Sequence, residues 1–240
     1  MTFTKYQFNN YCYWPSNPKK IIEFIGGSYL ASKPDLTYKR FIKSLIDKNY
    51  AVHAYKYTPQ FDHQELAMRA WKDFKSCQRS LSKRIGTSIP AIRIGHSLGC
   101  KLHLISPDGG RNCEKFISIS FNNFSAKRSI PFLKKISQKL EFTSEFSPSP
   151  ERTFGIIKKT YNQKNNFLIK FNSDELDQTD KLLFCLRARK EDNSKGIKLK
   201  GTHTIIASAG LRENFLGDWA DDDFKRYTIK QISYLIDKSI

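Results

Sequence analysis

The sequence predicts an α/β fold, in which a mostly parallel sheet is covered by helices on both faces. Strand-like runs alternate with helical patterns along the chain, which is typical of such sheets. One short β run, Ala91 to Ile94, leads directly into Gly95-His96-Ser97-Leu98-Gly99 and then into an apolar helical pattern. The length of 240 residues suits a single domain, residues 1–240, with one sizeable core.

The first half of the chain carries clear signals for helices and strands. Asp62, with Glu65 three residues later, forms a capping-box-like pair that predicts the start of a long helix. An apolar stripe at helical spacing indicates that this helix packs on the sheet. The other predicted elements of this half are a ribbon at Lys5–Trp14, a helix at Pro34–Lys48 whose apolar stripe includes Tyr38, and strands at Ile21–Ile25, Tyr50–Tyr55 and Ala91–Ile94.

The second half repeats the pattern but contains an insertion. Between Asn122 and Asn165 the strand rhythm breaks, and an amphipathic basic segment at Ile130–Leu140 precedes a second short helix beyond Pro148 and Pro150. We expect residues 122–165 to form either a helical cap over a site or a helix pair on the sheet edge. The remaining predictions are strands at Lys115–Phe121, Asn166–Phe171 and Ile197–Leu199, and a closing helix over Phe224–Ile236.

The pentapeptide around Ser97 is the most informative motif. A serine on a sharp strand-to-helix turn presents its hydroxyl at the top of a parallel sheet, and glycines two residues either side allow close backbone approach. This context predicts the nucleophile elbow of an α/β-hydrolase-like fold. An elbow kept only for packing is the alternative for Ser97.

A serine nucleophile needs a histidine to take its proton and a carboxylate behind that histidine. In this fold the three follow in the order Ser, acid, His. Asp174 lies in the loop after the strand ending at Phe171, and His203 follows the last predicted strand. Asp177 is the alternative acid, and a turn-forming role for Asp174 also stays open.

Stabilising an oxyanion requires two backbone N–H donors. Leu98, the residue after Ser97, is the predicted first donor. The second should come from the loop Gly26-Gly27-Ser28, either from Gly27 or from Ser28. This loop lacks the leading histidine of an H-G-G-G lipase motif, which leaves the choice between them open.

The formal net charge is +18, from 41 Lys and Arg against 23 Asp and Glu. The lysines are dispersed over different predicted elements, so we expect no nucleic-acid partner and interpret the charge as a solubility bias. Peripheral contact with an anionic membrane or an acidic protein is the alternative, and a third hypothesis gives the basic surface the main role, in binding nucleic acid or anionic lipid. Neither metal-ligand spacing nor any cofactor motif is present, so we expect neither group.

Cysteine usage and the N-terminus bear on the compartment. The five cysteines are scattered without a C-x-x-C pair, which favours reduced core thiols. No apolar run is long enough to span a membrane, and the N-terminus resembles neither a signal peptide nor a transit peptide. We therefore expect a cytoplasmic protein.

Several further motifs accompany the elbow. They are Leu36-Thr37-Tyr38, Thr58 with Phe61-Asp62-His63, Leu102-His103-Leu104-Ile105, Ile119-Ser120-Phe121-Asn122-Asn123, Asp174 with Leu176-Asp177-Gln178-Thr179, and Gly201-Thr202-His203-Thr204. Together they resemble the DUF1350 family of α/β-hydrolase-like proteins, found chiefly in cyanobacteria and plastids. The resemblance spans nearly the whole chain and implies a triad of Ser97, Asp174 and His203.

The resemblance also suggests residues near a pocket. It implies that Asn122, Asn123, Phe61 and His63 lie close to it, and His96, the variable residue of the elbow, is a candidate packing or entrance group.

The leading hypothesis is a serine esterase or thioesterase acting on a small acyl ester through an acyl-enzyme on Ser97. The alternative is a non-catalytic binding protein of the same fold, for example in the assembly of a photosynthetic or membrane complex.

Overall fold

The computed structural model describes residues 2–129, 145–207 and 223–240. It contains eight described strands, and the central ones are mostly buried. In chain order they are β1 (Thr2–Gln7), β2 (Asn10–Pro15), β3 (Ile21–Ile25), β4 (Ala51–Tyr55), β5 (Ala91–His96), β6 (Lys115–Ile119), β7 (Asn166–Phe171) and β8 (Lys195–Leu199).

Helices connect these strands on both faces of the sheet. The described helices are α1 (Pro34–Thr37), α2 (Lys39–Ile46), α3 (His63–Ile85), α4 (Leu98–Leu104), α5 (Ala126–Ser129), α6 (Pro150–Thr160), α7 (Thr179–Arg187) and α8 (Asp223–Ser239), with a 3₁₀ turn at Tyr29–Ser32.

The described strands form one sheet in the order β1-β2-β4-β3-β5-β6-β7-β8. Strands β1 and β2 form an antiparallel hairpin, and β2 is antiparallel to β4, whereas β3 to β8 all run parallel. The predicted mostly parallel α/β sheet is confirmed. Because parallel strands end at one edge, the carboxyl ends of β3, β5, β7 and β8 gather the loops that follow them.

Side chains of the central strands alternate between two cores. In β3, Ile22 and Phe24 pack with α2 and α8, while Ile25 packs with α3 and α4 on the opposite face. All five residues of β3 are buried, as expected for a strand with both faces covered.

Two differences from the predicted elements concern helices. The helix predicted over Pro34–Lys48 is interrupted at Tyr38, whose φ of −118° separates α1 from α2. The Tyr38 ring is buried, as expected for a residue of the apolar stripe. Its hydroxyl, however, accepts a hydrogen bond from the Gly27 N–H. Helix α7 was not predicted from its pattern. The basic segment Ile130–Leu140 lies outside the described residues, so the cap remains a prediction.

A buried ion cluster supports the core beneath α4. Arg93 on β5 donates Nε to Glu23 Oε2 at 3.0 Å and both Nη atoms to the Asp108 carboxylate at 2.9 Å. Gln78 on α3 donates to the other Glu23 oxygen at 2.8 Å. The Arg93, Glu23 and Asp108 side chains are at most 5% exposed. Each charge therefore depends on its partners for solvation.

All five cysteines are free and buried, as predicted. Among the described helices, none is both long and apolar enough to cross a membrane.

Buried His53 should make stability depend on pH. Trp14 Nε1 donates to His53 Nε2 at 2.9 Å, and complete burial lowers the pKa of His53 to about 3. In the unfolded chain this imidazole binds a proton near pH 6.5. The contribution of neutral His53 to the free energy of unfolding is therefore full above that pH and is lost as the pH falls towards 3. The free energy of unfolding, measured with urea at several pH values between 7 and 5, should fall less steeply with decreasing pH in His53→Gln than in wild type. The difference should be up to about 1.4 kcal/mol per pH unit. Equal slopes would contradict this expectation.

Candidate active site

Ser97 occupies a strained turn between β5 and α4. Its backbone has φ 54° and ψ −121°, a conformation that L-residues rarely adopt. The turn is tight enough to need its two glycines: a Cβ on Gly95 would lie 2.5 Å from Cys100 N, and a Cβ on Gly99 would overlap the Ile25 carbonyl oxygen. The Ser97 N–H donates to Ile119 O on β6 at 3.0 Å, which holds the turn against the neighbouring strand.

His203 and Asp174 converge on this serine. His203 Nε2 lies 2.9 Å from Ser97 Oγ, and His203 Nδ1 lies 2.9 and 2.8 Å from the two Asp174 carboxylate oxygens. The Asp174 side chain is fully buried and the His203 side chain is 18% exposed. The three groups form a continuous hydrogen-bonded array at the carboxyl edge of the sheet.

Asp174 is held in its ionised form. Burial alone would raise its pKa, but the hydrogen bond and charge of His203 outweigh that effect and leave the pKa below its usual value. The Leu176 N–H also donates to Asp174 Oδ1, at 3.0 Å. A carboxylate in this state can fix the imidazole tautomer and stabilise an imidazolium.

Asp177 lies in the same loop but is engaged elsewhere. Its Oδ1 accepts the Thr179 N–H at 2.7 Å and its Oδ2 accepts the Thr179 hydroxyl at 3.0 Å, at the start of α7. Burial raises the pKa of Asp177 to about 6. The geometry therefore places Asp174, and not Asp177, against His203.

Backbone contacts join the acid loop to the histidine loop. Asn172 Oδ1 accepts the Gly201 N–H at 3.0 Å, and the Ser173 N–H donates to Gly201 O at 3.1 Å. Asn172 was not singled out from the sequence. The sequence carries no signal for this contact, because Gly201 lies 29 residues away and the turn-forming tendency of asparagine concerns only backbone close in sequence.

The loop after β3 lies directly against the elbow. A Cβ on Gly27 would lie 3.2 Å from Ser97 Cβ and 3.2 Å from His96 Nδ1. The Gly27 N–H donates to Tyr38 Oη at 2.8 Å, so of the two expected donors in this loop Gly27 already has an acceptor. Leu98 is the first residue of α4, and its N–H therefore has no partner four residues back in the helix.

His96 is buried and does not line an open entrance. It is 0% exposed, with Nδ1 at 2.8 Å from Tyr38 Oη and Nε2 at 2.8 Å from the His203 carbonyl oxygen. Burial, together with the charge of His203, lowers its pKa to about 3. His96 is therefore neutral at ordinary pH. Of the two roles expected for it, packing and entrance, its complete burial fits packing.

The other expected pocket residues lie near the insertion. Phe61 is 42% exposed and its ring lies 5.7 Å from that of Phe146, while the buried His63 stacks on Phe146 at 4.3 Å. Asn123 is buried and donates Nδ2 to Pro150 O at 3.0 Å. These contacts fasten the described ends of the insertion to α3 and to the strand-β6 loop.

Asn122 is half-buried, and its Oδ1 accepts the Phe124 N–H at 3.2 Å. Lys101 on α4, which was not predicted as a functional residue, adds a contact to the insertion by donating Nζ to Pro148 O at 2.8 Å. Within the described ranges, no group of three His, Cys, Asp or Glu side chains could hold a metal ion.

Three solved structures with a similar architecture are a carboxyl esterase, a lipase and a thioesterase domain. A carboxyl esterase 2 from the mycorrhizal fungus Tuber melanosporum is 14% identical, with a TM-score of 0.64 over 100% of this chain and 86% of that chain. A monoacylglycerol lipase from Paleococcus ferrophilus is 13% identical, with a TM-score of 0.57 over 94% and 98%. The thioesterase domain from the curacin biosynthetic pathway is 11% identical, with a TM-score of 0.52 over 88% and 96%. The protein therefore has an α/β-hydrolase fold.

The family is also defined. The family model described as "Protein of unknown function (DUF1350)" matches residues 6–230, and the chain belongs to this family. A search of curated proteins found no match.

Proposed function

We propose that the protein is a serine hydrolase that cleaves a small carboxylic ester or thioester through an acyl-enzyme on Ser97. The observation that carries the proposal is the hydrogen-bonded array of Ser97, His203 and Asp174 at a strained strand-to-helix turn. An array of this kind activates a serine hydroxyl, which is otherwise a poor nucleophile. The esterase and lipase neighbours support the same class by likeness of fold.

The first half of the reaction forms the acyl-enzyme. Ser97 Oγ attacks the carbonyl carbon while its proton passes to His203 Nε2, and the carbonyl oxygen becomes an oxyanion. Asp174 stabilises the imidazolium that forms. His203 then gives the proton to the leaving alcohol or thiol as the bond from the carbonyl carbon to the leaving group breaks. The second half repeats these transfers with water, which releases a carboxylic acid and restores Ser97.

The oxyanion is stabilised by backbone N–H groups. Leu98 supplies one donor from the first turn of α4. Because the Gly27 N–H is bound to Tyr38 Oη, Ser28 is the proposed second donor. Preformed donors of this kind stabilise the charge that develops in the transition state.

A fluorophosphonate probe tests the proposal directly. The probe should label Ser97 of the folded protein, identified by peptide mass mapping, and hydrolysis of p-nitrophenyl acetate and butyrate should accompany labelling. Ser97→Ala should lose the label and at least about a thousandfold in turnover.

Ser44→Ala is the matched control, because it removes a hydroxyl on α2 that donates to Phe41 O, and it should retain both signals. Folded wild-type protein that takes no label, beside a reacting control hydrolase, would exclude a competent serine and favour a binding role for the fold.

A further inference from the structure

A buried hydrogen-bond relay runs behind Ser97 and joins the loops on either side of it. The Gly27 N–H contacts Tyr38 Oη, Tyr38 Oη contacts His96 Nδ1, and His96 Nε2 contacts the His203 carbonyl oxygen, each over 2.8 Å. Tyr38 and His96 are both 0% exposed. The relay thus connects the loop after β3 to the backbone of the residue that faces the serine.

The two ends of the relay determine where each proton lies. The Gly27 N–H can only donate, so Tyr38 Oη accepts from it. The His203 carbonyl can only accept, so His96 Nε2 must carry a proton and its neutral ring leaves Nδ1 as an acceptor. The Tyr38 O–H therefore points to His96 Nδ1. Every polar atom in the relay has a partner, and reversing any one bond would leave two donors or two acceptors facing each other.

We propose that Tyr38 and His96 are positioning residues of the hydrolase, an inference that rests on the proposed function. By engaging the Gly27 N–H, Tyr38 orients the following peptide so that the Ser28 N–H remains for the oxyanion. By holding the His203 carbonyl, His96 fixes the backbone from which the imidazole reaches Ser97. One buried unit therefore sets the distance between the oxyanion donor and the base.

Other contacts hold neighbouring residues of these loops, including the bonds of Asn172 and Ser173 to Gly201, two residues before His203. Tyr57 Oη donates to Gly26 O at 2.9 Å, which anchors the loop one residue earlier. Asp174 orients the His203 ring through Nδ1 and does not hold its backbone. Because oxyanion donors and the base act most strongly in the transition state, displacing them should raise the barrier more than it weakens substrate binding.

Tyr38→Phe is the first test, since it keeps the ring and removes only Oη. The Gly27 N–H and His96 Nδ1 lose their partner, and kcat per active site should fall about tenfold or more with KM within about twofold. Titration with limiting fluorophosphonate counts the competent sites, so a loss of folded protein would not imitate this result.

Tyr50→Phe is the matched control for Tyr38→Phe. Tyr50 is 1% exposed and donates Oη to Asp237 at 2.8 Å, at the opposite edge of the sheet. Its kcat should equal that of wild type. If Tyr38→Phe also retained wild-type kcat, while Ser97→Ala abolished turnover, the positioning role of the relay would be wrong and the hydrolase function would stand.

Substitutions of His96 test whether the relay acts as one unit. His96→Gln keeps one acceptor and one donor, whereas His96→Leu keeps neither, so glutamine should retain more kcat per active site. The double variant Tyr38→Phe/His96→Leu should lose less than the product of the two single losses, because both changes remove the Tyr38–His96 bond and only the Gly27 contact is lost in addition. Losses that multiply would overturn a shared unit.

Nitrogen-15 NMR of the histidine rings tests the relay without any activity measurement. His96 should show Nδ1 unprotonated and Nε2 protonated at pH 7, and Tyr38→Phe should shift the Nδ1 resonance while Tyr50→Phe does not. The opposite tautomer, or an Nδ1 resonance insensitive to Tyr38, would overturn the relay. Should the protein prove inert towards esters and the probe, this measurement would still decide whether the relay exists.

Discussion

Asp174→Asn is expected to lower turnover by about 10⁴-fold while the protein stays folded. The asparagine amide occupies the same space but presents a neutral group to His203 Nδ1, where Asp174 places two carboxylate oxygens within 2.9 Å. The imidazole then loses both its tautomer control and the charge that stabilises its protonated form. Ester hydrolysis normalised to folded protein measures the loss.

Asp177→Asn is the matched comparison in the same loop. Its carboxylate binds Thr179 at the start of α7, whereas the Asp174 carboxylate is the one that contacts His203 Nδ1, so turnover per folded molecule should stay close to wild type. The free energy of unfolding should change by no more than about 1 kcal/mol, because asparagine keeps an oxygen that can accept the Thr179 N–H. Larger catalytic damage from Asp177→Asn than from Asp174→Asn would reverse the assignment of the acid.

Arg93→Met is expected to cost about 3–5 kcal/mol in the free energy of unfolding at pH 7. The methionine fills much of the same volume, but it leaves the Glu23 and Asp108 carboxylates buried without their cation. Burial raises the pKa of Glu23 even with Arg93 present, so removing the guanidinium makes its ionised form harder still to accommodate. Urea unfolding followed by circular dichroism measures the change.

An exposed arginine provides the control for that experiment. Arg69 pairs with Glu65 on α3, and the two side chains are 57% and 49% exposed. Arg69→Met should cost no more than about 0.5 kcal/mol, since water solvates the carboxylate that is left behind. Equal losses in the free energy of unfolding for Arg93→Met and Arg69→Met would show that the buried cluster contributes no more to stability than an exposed ion pair.

Local signals predicted most of the fold because they agree with tertiary packing. The capping pair at Asp62 is present, with Glu65 N–H donating to Asp62 Oδ1 at 2.9 Å at the start of α3. The mostly apolar runs in β3 and β5, interrupted by Glu23 and Arg93 respectively, correctly indicated strands covered on both faces. Helix α7 was not predicted, because its N-cap residue, Gln178, makes no side-chain cap hydrogen bond and the contacts of Asp177 with Thr179 are those of a turn.

The candidate site was predictable where its residues lie in a short recognisable motif or follow the order of the strands. Ser97 lies in such a stretch, and the order of the elements placed Asp174 and His203 in loops that the structure brings together. The choice between Asp174 and Asp177 depends on side-chain direction, which spacing does not encode. The contacts of Tyr38 depend on a helix break that its apolar neighbours disguise, although Leu36-Thr37-Tyr38 was among the family motifs.

The backbone conformation at Ser97 predicts how the stability of the protein would change if glycine replaced this serine. Glycine is the residue that adopts φ 54° and ψ −121° without steric conflict, and other residues held in such regions cost about 1–3 kcal/mol each. Ser97→Gly should thus produce an inert protein that resists denaturant better than its parent. Stability alone favours glycine at position 97. The serine there lowers the stability of the fold, and a function of its hydroxyl would account for its presence.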